Sequence, residues 1–190
     1  MKLSILIPSL ESRAAQLICL KEELFAQIVQ CKAVDDVEII TSVDRGEATI
    51  GSKRNLLLSK ATGSYICFFD DDDTPSTTYV QKILDCIETA CDNCSMIGRI
   101  TFDGSTPEIF EHSIKYKEYR TNETVPVKYE RYPNHLNVIR AEIAKKFSFP
   151  EINHGEDTDW ATQIFKSGLL KNETKIEGVL YHYDYKTKND

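Results

Sequence analysis

Short apolar runs alternate with longer amphipathic stretches through the first hundred residues. Residues 2–8 read as a strand that closes on Ile7-Pro8. Over residues 12–31, Leu17, Leu20, Leu24 and Ile28 recur at helical spacing and predict a helix with one buried face. Val37 to Val43 predict a second strand that stops at Asp44. Residues 50–61 predict a helix closed by Gly63, and residues 64–69 a third strand. Residues 76–90 predict a helix with Val80, Ile83, Leu84 and Ile87 inward, and residues 94–102 a fourth strand. This order predicts an α/β protein with a mostly parallel central sheet flanked by helices.

From Asp103 to Pro133 the pattern changes. The stretch is polar, with Tyr116, Tyr119, Tyr129 and Tyr132 set among charges. Short antiparallel strands or a mobile loop both fit it. Residues 140–147 look helical. Residues 156–166 predict a helix with Trp160, Ile164 and Phe165 on one side and Gly168 as its stop. Residues 176–183 predict a last strand, and residues 186–190 a frayed tail.

The length of 190 residues suits one domain. With 41% hydrophobic and 28% charged residues the balance is that of an ordinary soluble protein. A net charge of -7 does not suggest a duplex nucleic acid partner. No apolar run reaches membrane-spanning length, and the N-terminus lacks the pattern of a signal peptide. Reduced thiols are therefore expected for the six cysteines. Cys91-Asp92-Asn93-Cys94, with Cys86 nearby, has a metal-ligand spacing, but no second Cys or His pair follows at a zinc-ribbon distance. Asn122-Glu123-Thr124 and Asn172-Glu173-Thr174 match an N-glycosylation acceptor that a cytoplasmic chain would not use.

Candidate chemistry begins at Asp70-Asp71-Asp72-Asp73, directly behind the apolar run Tyr65 to Phe69. Four like charges at the end of a buried strand repel one another and lose hydration. A divalent cation relieves both problems, because hard cations take carboxylate oxygens. A solvated acidic turn is the plainer alternative, and a lone Asp pair would favour it. Asp44 ends the second strand as the cluster ends the third, so in a parallel sheet both open onto one edge, where such sheets bind ligands. Gly51-Ser52-Lys53-Arg54-Asn55 opens the next helix, and a basic helix N-terminus suits a diphosphate. No phosphate-loop motif and no Gly-x-Gly-x-x-Gly is present, which disfavours an ordinary triphosphatase and a dinucleotide cofactor. His154-Gly155-Glu156-Asp157 precedes the last helix, where acids also serve as caps.

In this order and spacing the pieces resemble a family 2 glycosyltransferase with the GT-A (Rossmann-like) fold. The resemblance covers Leu3 to about Tyr183. It rests on Ile7-Pro8, Asp44, Arg54-Asn55, Gly63, the aromatic strand, Asp70 to Asp73, and Glu156-Asp157. It implies one domain over residues 1–190: a nucleotide-sugar half over about 1–102 and an acceptor-side half over about 103–185, with antiparallel or loop structure. It also implies an inverting enzyme that uses Mn2+ or Mg2+ and a nucleotide-diphosphate sugar, with a UDP-sugar favoured. The implied donor-binding residues are Pro8, Glu11, Asp44, Arg54, Asp70 and Asp71, with Asp44 reading the base and Asp70 on the ribose side. The implied metal ligands are Asp72, Asp73 and His182. The implied catalytic residues are Asp157 as general base and Glu156 in support.

The chain departs from the family where Leu10 and Glu11 stand in place of a base-stacking aromatic residue and Asn. It departs again where Arg45-Gly46-Glu47 follows Asp44. The Gln-x-x-Arg-Trp signature of processive members is absent, so transfer of one sugar per encounter is expected. A noncatalytic nucleotide-sugar-binding module or a partner-dependent subunit is the alternative. A sugar nucleotidyltransferase fits less well, since Ser9 to Arg13 contain no Gly. The acceptor is left open among a glycan, a lipid-linked sugar, a protein and a modified nucleobase. So are the oligomeric state and a membrane-peripheral placement of a cytoplasmic enzyme.

Overall fold

The computed structural model describes residues 1–123 and 126–186. Thr124 of the first glycosylation motif lies outside the described residues, as does the expected frayed tail beyond Lys186. The first half runs β1 (Leu3–Leu10), α1 (Ala14–Gln30), β2 (Val37–Asp44), α2 (Ile50–Lys60), β3 (Tyr65–Phe68), β4 (Thr74–Pro75), α3 (Tyr79–Ile87), β5 (Asn93–Cys94) and β6 (Met96–Phe102). The second half runs β7 (Glu108–His112), β8 (Arg120–Thr121), β9 (Tyr129–Arg131), β10 (Val138–Arg140), α4 (Ala141–Ala144), α5 (Glu156–Ser167), β11 (Glu173–Thr174) and β12 (Val179–Tyr185).

Two six-stranded mixed sheets result. The first has the order β11-β5-β10-β3-β1-β2, and the second β4-β12-β6-β7-β9-β8. β1 pairs in parallel with both β2 and β3, so Leu10 and Asp44 end side by side on one edge. The periodic residues do what their spacing predicts: Leu17, Leu20, Leu24 and Ile28 of α1 are buried, with Gln27 among them. One core lies between α1, α3 and the first sheet. A second lies on the other face under α2, α4 and α5, with Phe68, Phe149 and Trp160 packed edge and face. Burying such residues is the main favourable term in folding.

The predicted strand over 94–102 is two strands. The chain breaks at Ser95, giving β5 to the first sheet and β6 to the second. The neighbour of β3 is instead β10, which runs antiparallel and comes from the second half of the chain. The helix expected over 140–147 shortens to α4: Arg140 is drawn into the sheet as the end of β10, and after Ala144 the chain tightens into turns, with Lys146 and Phe147 bonding back three residues to Ile143 and Ala144. The polar middle contains β7, β8 and β9, with β7 and β9 parallel.

Two glycines shape the edge where candidate residues gather. A Cβ on Gly51, in the first turn of α2, would stand 1.9 Å from the Pro150 carbonyl oxygen. Gly155 has φ +83°, a left-handed conformation that L side chains avoid, and it launches α5 at Glu156.

Candidate active site

β3 ends at Phe68, and the chain turns through the four aspartates before β4. A backbone bond from Asp73 to the Asp70 carbonyl, 3.2 Å, closes the turn and sends successive side chains in different directions. Asp71 turns inward, accepting from the Ser9 hydroxyl at 2.5 Å and from Arg13 at 2.7 Å. Asp72 is half-exposed and meets the same Arg13 at 2.9 Å. Asp73 is buried and accepts from the Tyr181 hydroxyl at 2.5 Å. Asp70 meets Arg54 at 3.0 Å and His135 at 3.4 Å.

These environments split the four carboxylates. Burial would raise Asp70, but the Arg54 charge and the His135 contact hold it well below the usual range. Burial pushes Asp73 up to about 8, helped by the Asp70 charge. Burial also raises Asp72, against the pull of Arg13.

Asp72 and Asp73 thus hold their protons more tightly than ordinary carboxyls, so a cation beside them would favour the charged forms, and the donor set is all oxygen. Both facts fit Mg2+ or Mn2+. Among the described residues, no three carboxylate or imidazole ligand atoms converge here. An ion held by one or two carboxylates takes its other oxygens from substrate phosphates and water.

His182 is not brought to this group. It pairs with Thr74 across β12 and β4 and lines a separate cavity with Arg99, Thr101 and Asp184. Tyr183, its neighbour on the strand, lines the cleft described next.

A cleft of about 300 Å³ opens beside the turn. Asp70, Asp73, His112, Arg131, His135 and Asp157 contribute to its walls, with Ile100, Phe110 and Tyr183 as apolar lining. Asp157, on the first turn of α5, thus shares the cleft with Asp70 and Asp73, which lie 87 and 84 residues earlier in sequence. Glu156 does not share that position. Its carboxylate is buried and bound to Arg54 at 2.6 Å. Alternate directions on a helix explain this: one acid turns to the core and the next to the cleft.

Arg54 is likewise buried rather than open to a diphosphate. It lies 5.7 Å from the Phe68 and Phe149 rings and joins Glu156 to Asp70. Asn55 exchanges two hydrogen bonds with the Phe149 backbone, tying α2 to the segment before α5.

Asp44 closes its own loop. It accepts from the Gly46 and Ala48 amides at 3.1 and 2.8 Å and forms an ion pair with buried Lys53. The Lys53 hydrogen bond is the chief cause of its lowered pKa. Lys53 also donates to the Ser9 carbonyl at 2.8 Å. Pro8 lies within β1 opposite Ser42. Glu11 is exposed and paired with Arg45 at 2.7 Å.

The residues that sequence reasoning missed are His112, Arg131, Asn134 and His135. They stand between predicted elements, in a stretch with no periodicity to mark which side chains turn inward.

The cysteines depart from expectation. Cys86 and Cys94 are joined in a disulfide, and the Cys91 sulfur lies 3.9 and 3.8 Å from them. The trio is buried between α3 and β5, away from the cleft.

A family model for glycosyl transferase family 2 matches residues 25–148, and the chain belongs to that family. The match stops short of Asp157. Among solved structures, TarS 1-349 of S. aureus in complex with UDP is similar at TM-score 0.67 and 17% identity, over 97% of this chain and 60% of that one. The TarS 1-349 complex with UDP-GlcNAc gives 0.65 and 16%, over 100% and 60%. The catalytic domain of Drosophila beta1,4galactosyltransferase 7, in complex with xylobiose, gives 0.57 and 13%, over 94% and 66%. These likenesses show the GT-A fold. The chain spans about 60% of the TarS chain it matches first. A sequence search of curated proteins finds no significant match. No helix among the described residues is long and apolar enough to cross a membrane.

Proposed function

We propose that this protein is a divalent-metal-dependent, inverting glycosyltransferase that moves one sugar from a UDP-sugar to a hydroxyl acceptor. The observation that carries this reading is the convergence of Asp70, Asp73 and Asp157 on one cleft. Family membership and the UDP and UDP-GlcNAc bound by the TarS structures support the donor class. Asp157 accepts the proton of the attacking hydroxyl, the task of a general base. One base on one side of the anomeric carbon suits a single displacement, hence inversion. Mn2+ or Mg2+ at Asp72 and Asp73 would offset charge on the departing diphosphate. Asp70, fixed as an anion by Arg54, orients the ribose side. Asp44 reads the base from the adjoining edge, with Lys53 holding its carboxylate in place. Glu156 acts through Arg54, as a support and not on the acceptor.

The test is nucleotide binding. UDP with Mn2+ should raise the melting temperature, since a ligand of the folded state at about 100 times its Kd adds roughly 2.7 kcal/mol. GDP and CDP should add less, and Asp44→Ala should remove the preference. Equal shifts with all three nucleotides, or none, would rule out the uridine assignment.

A further inference from the structure

The segment from Tyr132 to Ile139 connects β9 to β10 and is buried along its whole length. Connections normally run over the surface, because buried loop backbone must find partners for its polar groups. This one finds them with its own side chains. Asn137 accepts from the Asn134 amide at 3.1 Å, and Asn134 accepts from the Leu136 amide at 3.0 Å. The Asn137 amide group reaches the Cys94 carbonyl at 3.0 Å, and the His135 carbonyl accepts from Phe68 at the end of β3 at 2.9 Å. The backbone of the loop is thus fixed to both β3 and β5.

What the loop delivers to the cleft is the His135 ring. The ring nitrogens face two carboxylates. Nε2 is 3.4 Å from Asp70, and Nδ1 is 3.6 Å from Asp157. Nδ1 is buried and has no hydrogen-bond partner. The Asp157 carboxylate stands just outside its hydrogen-bond reach. Contacts at catalytic groups are often long before substrate arrives and tighten with it. Asp70 is already held by Arg54, whereas Asp157 makes no ion pair with Arg or Lys among the described residues: Thr158 on its own helix approaches it at 3.4 Å, and its charge helps burial raise the Tyr119 hydroxyl.

We infer that His135 is a positioning residue that bridges the two halves of the site, aiming the Asp157 carboxylate into the cleft through Nδ1 while bracing Asp70 through Nε2. This rests on the reading of Asp157 as the base. The bridge would couple donor to acceptor: a shift of Asp70 on nucleotide binding is passed to Asp157 through one rigid ring.

The two arms can be separated, because an Asn amide nitrogen stands close to Nδ1 of histidine and a Gln amide nitrogen close to Nε2. His135→Asn, His135→Gln and Asp157→Asn are compared with the parent. The readouts are calorimetric affinity for UDP with Mn2+ and UDP release from UDP-GlcNAc, UDP-glucose and UDP-galactose, with water as acceptor. His135→Gln should bind UDP like the parent and release it on the order of 10- to 100-fold more slowly, the scale of a misplaced catalytic group. His135→Asn should keep most of the rate and bind UDP more weakly. Loss of both properties in equal measure in both variants, or of neither, would overturn the bridge.

A second readout needs no turnover. In spectra of protein labelled with 15N-histidine, Asp157→Asn should move the His135 Nδ1 resonance, and an unmoved resonance would overturn the contact. Parental UDP release by Asp157→Asn would sink the base assignment alone, and the Nδ1 resonance would still decide the bridge.

Discussion

Asp70–Asp73, after β3, and Glu156-Asp157, at the start of α5, are both acidic runs beside the cleft: Asp70, Asp73 and Asp157 line it, whereas Asp72 opens with Asp71 and Asp73 onto a neighbouring cavity. In the first, Asp71 is bound by Ser9 and Arg13 while its neighbour Asp72 is half-exposed. In the second, Glu156 is bound by Arg54 while its neighbour Asp157 lines the cleft. Each run divides the work between adjacent residues, one acid anchoring the backbone and the next turning outward. The difference lies in what holds the outward group. Asp72 leans on a flexible cation, Arg13. Asp157 leans on a ring fixed in a buried loop. The first arrangement suits an ion that arrives and leaves with substrate, and the second suits a group that must keep one direction.

The comparison can be broken at its anchors. Glu156→Ala should have the largest effect on stability. It leaves the Arg54 guanidinium buried with only Asp70 as partner, and breaking a buried ion pair from one side costs about 3–5 kcal/mol. Urea unfolding measures it, and a parental midpoint would place Glu156 among the outward groups instead.

A pH titration sharpens the picture next. Burial is the main cause that lowers His112 to about 3 in the folded protein. The unfolded chain keeps an ordinary value of about 6.5. The unfolded state therefore binds more protons between these values, and stability is full above about 6.5 and lost as pH falls toward 3. The slope from one such group is at most about 1.4 kcal/mol per pH unit. Asp70, lowered in the fold, adds its own loss only below the ordinary carboxylate range. Asp73, raised to about 8, acts in the opposite direction between about 4 and 8, because there the folded state holds the extra proton. His112→Asn should therefore remove the rising contribution between about 4 and 6.5, so that melting temperature falls as pH rises there relative to the parent, and leave the steeper loss below about 4.

Asp72→Asn should have the smallest effect on stability, within about 0.5 kcal/mol, as for most surface substitutions. It should still remove most of the Mn2+ dependence of UDP binding. Parental metal dependence in calorimetry would move the ion to another carboxylate.

Much of this arrangement is legible in the sequence. The helical spacing of α1 and α3 and the apolar run before Asp70 give the parallel core, because those faces meet one another and repeat with a fixed period. The acidic turn and Asp157 are legible as charges beside apolar elements. The fates of single acids are not. Whether Glu156 or Asp157 faces the cleft depends on Arg54, which approaches from a helix 102 residues away in sequence. The break at Ser95 is hidden because residues 94–102 form one continuous run, and only the insertion of β10 splits it. The buried loop is hidden for a different reason. Asn134, His135 and Asn137 look like solvated connection, yet their side chains satisfy one another inside the protein.

The central claim is that Asp157 is the base of the cleft and Glu156 its anchor. Melting temperature and turnover of Asp157→Asn, measured on the same sample, test it most directly. The account predicts near-parental melting and UDP affinity, with transfer reduced on the order of a hundredfold to ten-thousandfold. Parental turnover joined to a stability loss of about 1 kcal/mol would instead make Asp157 a helix-capping acid and contradict the account.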